Sequence, residues 1–226
     1  MNVSELKNLF ILHPGGTGGN HLANLISLIP EFEYRLDEFE GDYQQVLFNK
    51  YEMFVDPKFI SKIQQTSPHG IKAHFLNNHG LSGLTKDSPD EIYKQKLLSN
   101  KKINILTGHW HCFDHADLSN FKNHAWIMQT FPKENSLAYK RIRVYDFWPQ
   151  ETYLYSEPFE FRRPSMESSN AFEFDTDIFV ENNGAEYLRQ FLNTNFEVHL
   201  PNIADEIHDR WMYGLKKVIE LCSTKY

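Results

Sequence analysis

The stretch FILHPGGTGGNHLANLISL, residues 10–28, decides how the chain is read. An apolar run, Phe10 to Leu12, breaks into Pro14-Gly15-Gly16-Thr17-Gly18-Gly19 and resumes as Leu22, Ala23, Leu25 and Ile26 at helical spacing. Strand, glycine-rich turn and helix follow one another within twenty residues. Glycine permits positive φ and a close approach of backbone to ligand. Successive N–H groups at a helix N-terminus then point at an anion, helped by the partial charge of the helix dipole. The stretch therefore reads as a phosphate-binding loop formed by Gly15, Gly16, Thr17, Gly18, Gly19 and Asn20, with Thr17 and Asn20 able to add side-chain hydrogen bonds. No lysine or arginine lies within it. A Walker A loop ends in Gly-Lys-Ser/Thr, where Asn20-His21 stands here, so Mg-ATP hydrolysis is disfavoured. The dinucleotide spacing G-x-G-x-x-G fails as well, because Gly16-Thr17-Gly18 is followed by Gly19-Asn20-His21.

Outward from the loop, strands and helices alternate. Residues 9–12 read as a buried strand and 20–29 as a helix stopped by Pro30. Residues 31–100 carry mixed helix and turn signals without clear boundaries. INILTG (103–108) and AWIMQTF (125–131) read as two more strands, and Pro132 with Glu134 opens a helix through about Tyr145. Residues 147–172, rich in Pro, Ser and aromatics, read as a long loop or lid. FEFDTDIFVE is strand-like, AEYLRQFL helical, and 202–221 forms an amphipathic helix with Ile203, Ile207, Trp211, Leu215 and Val218 on one stripe behind an Asn cap. This alternation predicts a single α/β domain over residues 1–226, in three layers around a mostly parallel sheet of P-loop topology.

With 226 residues the chain can bury a sizeable core, and 41% hydrophobic with 23% charged residues is ordinary for a globular protein. A net charge of −7 argues against nucleic acid as a partner. Two cysteines, Cys112 and Cys222, imply no disulfide framework and suit a reducing cytoplasm. The absence of a basic-then-apolar leader, and of any apolar run of about 18 residues, predicts a soluble protein that does not enter a membrane. Trp110, Trp148, Tyr153 and Tyr155 could line an acceptor pocket or simply pack the core and lid.

PGGTGG after a strand resembles the 5′-phosphosulfate loop of the sulfotransferases, usually Pro-Lys-Ser-Gly-Thr-Thr. Three further stretches carry the resemblance in the same order. Gly108-His109 ends a strand, where that family places a catalytic histidine. WIMQTFPKENSLAYKR matches a strand followed by Arg-Asn-x-Lys-Asp and a helix, which in the family contacts the cofactor 3′-phosphate. FEFDTDIFVENNGAEYLRQFLNTNF (172–196) resembles the closing Tyr-Glu-Asp-Leu strand and Phe-Leu-Gly-Leu helix end. The resemblance implies transfer of a sulfuryl group from 3′-phosphoadenosine-5′-phosphosulfate to a hydroxyl or amine of a small-molecule or saccharide acceptor, without a metal. It implies that Gly15 to Asn20 hold the 5′-phosphosulfate, that His109 takes the acceptor proton, and that Lys133 approaches the 3′-phosphate. Three family residues are replaced: the loop lysine by Gly15, the 3′-phosphate arginine by Thr130, and the helix serine by Ala138. Lys140, Arg141 or Arg143 could stand in for the missing charge.

Histidine suits a base because its pKa lies near neutrality. His109 leads because open parallel sheets bind ligands at strand C-terminal ends. His111 projects to the same side of an extended segment, and Lys72 with His74 in GIKAHFL resembles the family's Lys-Thr-His form. The cluster HWHCFDH (109–115) also resembles the His-x-His-x-Asp-His motif of metallo-β-lactamase-like hydrolases. One extra residue before Asp114 breaks its register, and a zinc reading leaves the glycine loop unexplained. A third possibility is a nucleotide-binding or scaffold protein of the same fold without catalysis.

Overall fold

The computed structural model describes residues 3–14, 17–34, 43–52, 55–58, 80–87, 89–109, 115–146 and 170–223. Gly15, Gly16, Lys72, His74, Trp110, His111, Cys112, Asp114, Trp148, Tyr153 and Tyr155 lie outside them, as does the expected lid up to residue 169.

Five strands form one sheet: β1 Asn8–His13, β2 Phe32–Glu33, β3 Ile103–His109, β4 His124–Gln129 and β5 Ala171–Phe174. Their order is β2-β3-β1-β4-β5 and every pairing is parallel. The helices are α1 Gly19–Ile26, α2 Tyr43–Glu52, α3 Glu91–Ser99, α4 Leu137–Asp146, α5 Thr176–Phe179, α6 Gly184–Phe196 and α7 Ile203–Ser223. The expected α/β class with a mostly parallel sheet is what the chain adopts. Among the described residues no helix is long and apolar enough to cross a membrane.

The strands are apolar on both sides because both sides are covered. Alternate residues feed two cores. Leu9, Ile11, Ile105, Ala125 and Ile127 pack with Leu22, Leu25, Phe179, Leu188 and Trp211 of the helices on one face. Phe10, Leu12, Leu106, Trp126 and Met128 pack with Leu81, Leu84, Tyr93, Leu97 and Phe121 on the other. A one-residue slip of β1 would exchange the two sets, so its register is strongly specified.

Several boundaries differ from the sequence reading. The first helix, read over 20–29, ends at Ile26, short of Pro30. The third strand stops at Gln129, and its helix starts at Leu137 instead of Pro132. Ser136 supplies the reason: its Oγ accepts from Tyr139 N–H at 3.0 Å, a cap that Pro132 cannot provide. FEFDTDIFVE is strand only to Phe174. The Asp175 carboxylate accepts from the N–H groups of Asp177 and Ile178 and turns the chain into α5. Finally, β2 inside the mixed region escaped the sequence reading, because two residues cannot display an alternation.

Candidate anion site at the glycine loop

The loop leaves β1, the central strand. From β1 the chain passes through α1 to β2 on one side; from β4 it passes through α4 to β5 on the other. The crevice between the C-terminal ends of β1 and β4, where the connections diverge, is where an open parallel sheet places ligands. Thr17 sits in it, fully buried, its hydroxyl 2.7 Å from Pro14 O and 3.2 Å from Gln129 Oε1 at the end of β4. Gln129 is itself fully buried, and its Nε2 has no hydrogen-bond partner among the described residues.

Gly18 starts α1 with φ +88° and no side-chain cap. Its glycine is required twice over, by the left-handed backbone and by space. A Cβ there would lie 3.0 Å from Arg141 Nη1 and 3.0 Å from the Trp211 ring. At Gly19 a Cβ would stand inside the His13 ring. Neighbouring side chains thus close over the backbone of the helix N-terminus itself.

Arg141 brings a cation to a loop that carries none. It arrives from α4, stacks over Trp211 with its guanidinium carbon 4.9 Å from the ring centroid, and presents Nη1 at Gly18. That nitrogen is buried and has no hydrogen-bond partner among the described residues. A buried guanidinium donor facing a helix N-terminus places two positive potentials together. The combination repels itself unless an anion lies between.

His109 ends β3 directly beside His13 of β1. The two rings meet edge to face at 4.8 Å, and His109 Nδ1 donates to His13 O at 3.4 Å. In that neutral tautomer Nε2 carries the lone pair a base requires. Asn20 Oδ1 accepts from Tyr34 Oη at 2.9 Å and Thr107 Oγ1 at 3.2 Å, so this side chain ties α1 to β3. Lys133 is exposed, and its backbone N–H donates to Asp177 Oδ2 at 2.9 Å, which anchors it at the β5–α5 corner. Thr130, at the position of the family arginine, is spliced to Thr176 by two hydrogen bonds of 3.1 and 2.6 Å.

Below the loop, α1 carries His21 into the core. His21 stacks on Trp211 at 4.1 Å and 18°, on the face of an indole that also meets Arg141. Its Nδ1 lies 2.7 Å from Tyr51 Oη, and its Nε2 lies 3.1 Å from His208 Nδ1. His208 Nε2 is 2.8 Å from Glu181 O. A carbonyl only accepts, so His208 carries its proton on Nε2 and accepts on Nδ1; His21 then donates from Nε2, and Tyr51 donates to His21 Nδ1. Burial, with His208 and Arg141 nearby, holds the His21 pKa well below the ordinary histidine value. Burial also lowers that of His208.

The structure thus gathers Thr17, Gly18, Gly19, Asn20 and His109 at one end of the sheet. Of the three basic residues left open by the sequence, it brings Arg141 to the loop. Three contributors were missed. Gln129 left a signal, a lone amide ending the apolar run AWIM. His13 fell just past the strand read at 9–12 and Trp211 read as part of an apolar stripe, and only the fold turns them toward the loop.

Among the described residues no group of three or more His, Cys, Asp or Glu could hold a metal ion; most of HWHCFDH lies outside those residues. Comparison of the chain with protein-family models, with curated proteins and with solved structures finds no significant match.

Proposed function

We propose that the chain is a sulfotransferase-like enzyme of P-loop topology, which moves a sulfuryl group from 3′-phosphoadenosine-5′-phosphosulfate to a hydroxyl or amine acceptor. One observation carries the reading: the unpartnered Arg141 Nη1 beside Gly18 at the start of α1. It supplies from α4 the charge that the loop itself lacks. The central position of β1 in the order β2-β3-β1-β4-β5 supports the P-loop arrangement. In this reading the loop backbone and Arg141 hold the 5′-phosphosulfate and stabilise charge on the leaving phosphate. Gln129 Nε2 donates to the same group. His109 takes the acceptor proton through Nε2, while His13 O fixes its ring through Nδ1. Lys133, exposed beyond β4, contacts the 3′-phosphate from the rim.

The test is thermal unfolding with adenosine-3′,5′-bisphosphate, since a ligand that binds only the native state raises the midpoint. A shift that disappears in Arg141→Ala supports the cofactor site; no shift at millimolar ligand removes it. His109→Ala should keep the shift and abolish transfer, and retained turnover would end that assignment.

A second reading, a nucleotide-binding protein of this fold without catalysis, is favoured by the Thr17 and Asn20 side chains. Both are engaged by protein groups rather than presented to a ligand. A full thermal shift with no transfer to any of a broad panel of acceptors would select it.

A further inference from the structure

Helix α1 runs from the anion site into the histidine cluster, and one indole joins the two. Arg141 lies over Trp211, which stacks on His21. We propose that anion binding at the glycine loop is coupled to uptake of one proton from solvent by the buried His21–His208 pair, so that the loop binds its anion more tightly as the pH falls. The proposal rests on the anion-site reading above.

In the unliganded protein the Arg141 charge opposes a second positive charge on His21. An oxyanion paired with Arg141 cancels that opposition, and by reciprocity a proton on His21 favours the anion. The hydrogen bonds leave one place for the proton. His21 Nε2 and His208 Nε2 already carry hydrogens that they donate to His208 Nδ1 and Glu181 O. The added proton goes to His21 Nδ1, which becomes a donor to Tyr51 Oη. Tyr51 must then send its own hydrogen elsewhere, and Asn24 provides the acceptor. Asn24 is fully buried on α1, its Nδ2 lies 3.4 Å from Tyr51 Oη, and its Oδ1 has no partner among the described residues. A half-turn of that amide puts Oδ1 where Nδ2 stood. The proton comes from water and no covalent bond other than N–H and O–H is involved.

The groups facing the pair are Tyr51 from α2, Asn24 on α1 itself, Phe179 from α5, Arg141 from α4, and Trp211, Asp205 and Asp209 from α7, with Glu181 O from the loop before α6. Asp205 and Asp209 favour a charged His208, so the cluster is held neutral mainly by burial and Arg141. His13 packs on Gly19 of the loop and His109 packs on His13, so the readout must be specific to His21.

Sulfate is the probe, because its charge is constant from pH 8 to pH 6. Its affinity for the wild-type chain, measured by calorimetry in two buffers of different ionisation enthalpy, should rise steadily as the pH is lowered through that range, with net proton uptake. The His21 ring resonance in histidine-labelled protein should titrate at a higher pH with sulfate than without. His21→Phe keeps the stack on Trp211 and should flatten the part of the pH dependence that belongs to His21. A His21 midpoint unmoved by sulfate, whether or not the variant folds, overturns the coupling and leaves the anion site standing. No sulfate binding at any pH removes the anion site itself.

Discussion

Arg141 and the glycine it faces, Gly18, show how much one side chain can settle. A loop of backbone donors alone has a weak hold on an anion in water, whereas an arginine partly removed from water binds through charge-assisted hydrogen bonds. Arg141→Ala should therefore lower affinity for adenosine-3′,5′-bisphosphate by about 1.5–3 kcal/mol, the range for hydrogen bonds to charged groups. Arg141→Lys should recover only part of it, because an ammonium cannot keep the planar stack on Trp211; isothermal calorimetry on the three proteins checks the order. Gly19→Ala tests the close approach of His13. The added methyl would displace the ring, and overpacking of this kind costs about 1–3 kcal/mol. Urea unfolding should show that loss, and an unchanged midpoint would mean that the His13 ring swings away freely.

Helix-to-helix joints are where pH should act. Tyr51 hangs α2 on His21, while Arg210 of α7 stacks on Phe48 at 3.7 Å and pairs with Glu52 at 3.7 Å. The ion pair is open to solvent on its Glu52 side and screened there, whereas the histidine joint is buried. Both histidines have folded-state pKa values below their ordinary value. Above about pH 6.5 they are neutral in folded and unfolded chains alike and their titration contributes nothing. Below it the unfolded chain takes up protons that the native state refuses, so stability falls with pH. The slope is about 1.4 kcal/mol per unit for each refused proton and ends once the folded midpoint is passed. Urea midpoints at pH 7.5 and 5.5 should differ accordingly, and millimolar sulfate should reduce the difference if proton and anion are linked. The Asp175 cap gives a control at the same scale: Asp175→Ala should cost about 1 kcal/mol through the frayed start of α5.

For the molecule as a whole, the five-stranded sheet fixes the distance between Gly18 on α1 and Arg141 on α4, and binding should stabilise both anchors together. Ligand at about 100 times its Kd adds about 2.7 kcal/mol. For a chain of this size that amounts to roughly 5–10 °C in Tm. A shift confined to a local probe, with the global calorimetric transition unmoved, would contradict a site that spans the sheet. The opposite end of the sheet has a polar joint of its own. Asn104 Nδ2 donates to Asn8 Oδ1 at 2.9 Å and to Leu97 O at 2.9 Å, locking β3, β1 and α3. It lies at the strand N-termini, remote from the ligand end, so Asn104→Leu should destabilise the chain and leave sulfate affinity intact.

Local pattern alone was enough to read β1, the turn after it, α1, β3, β4 and α7. Their apolar runs and helical stripe are long, and glycine leaves few alternatives at the turn. The class of fold followed, because apolar strands separated by helices pack stably as a covered parallel sheet. His109 was legible by its place at a strand end. Tertiary structure decided the rest. Nothing in the spacing of Lys140, Arg141 and Arg143 says which of them looks toward α1; that depends on how α4 lies against Trp211, a contact across seventy positions of sequence. The same holds for His21, which read as a residue of the first helix and became the centre of a buried hydrogen-bond network once α2 and α7 closed on it. Periodicity reports which face of an element is buried. Partners distant in sequence, and the charge or hydrogen bond they bring, are set only when the elements pack.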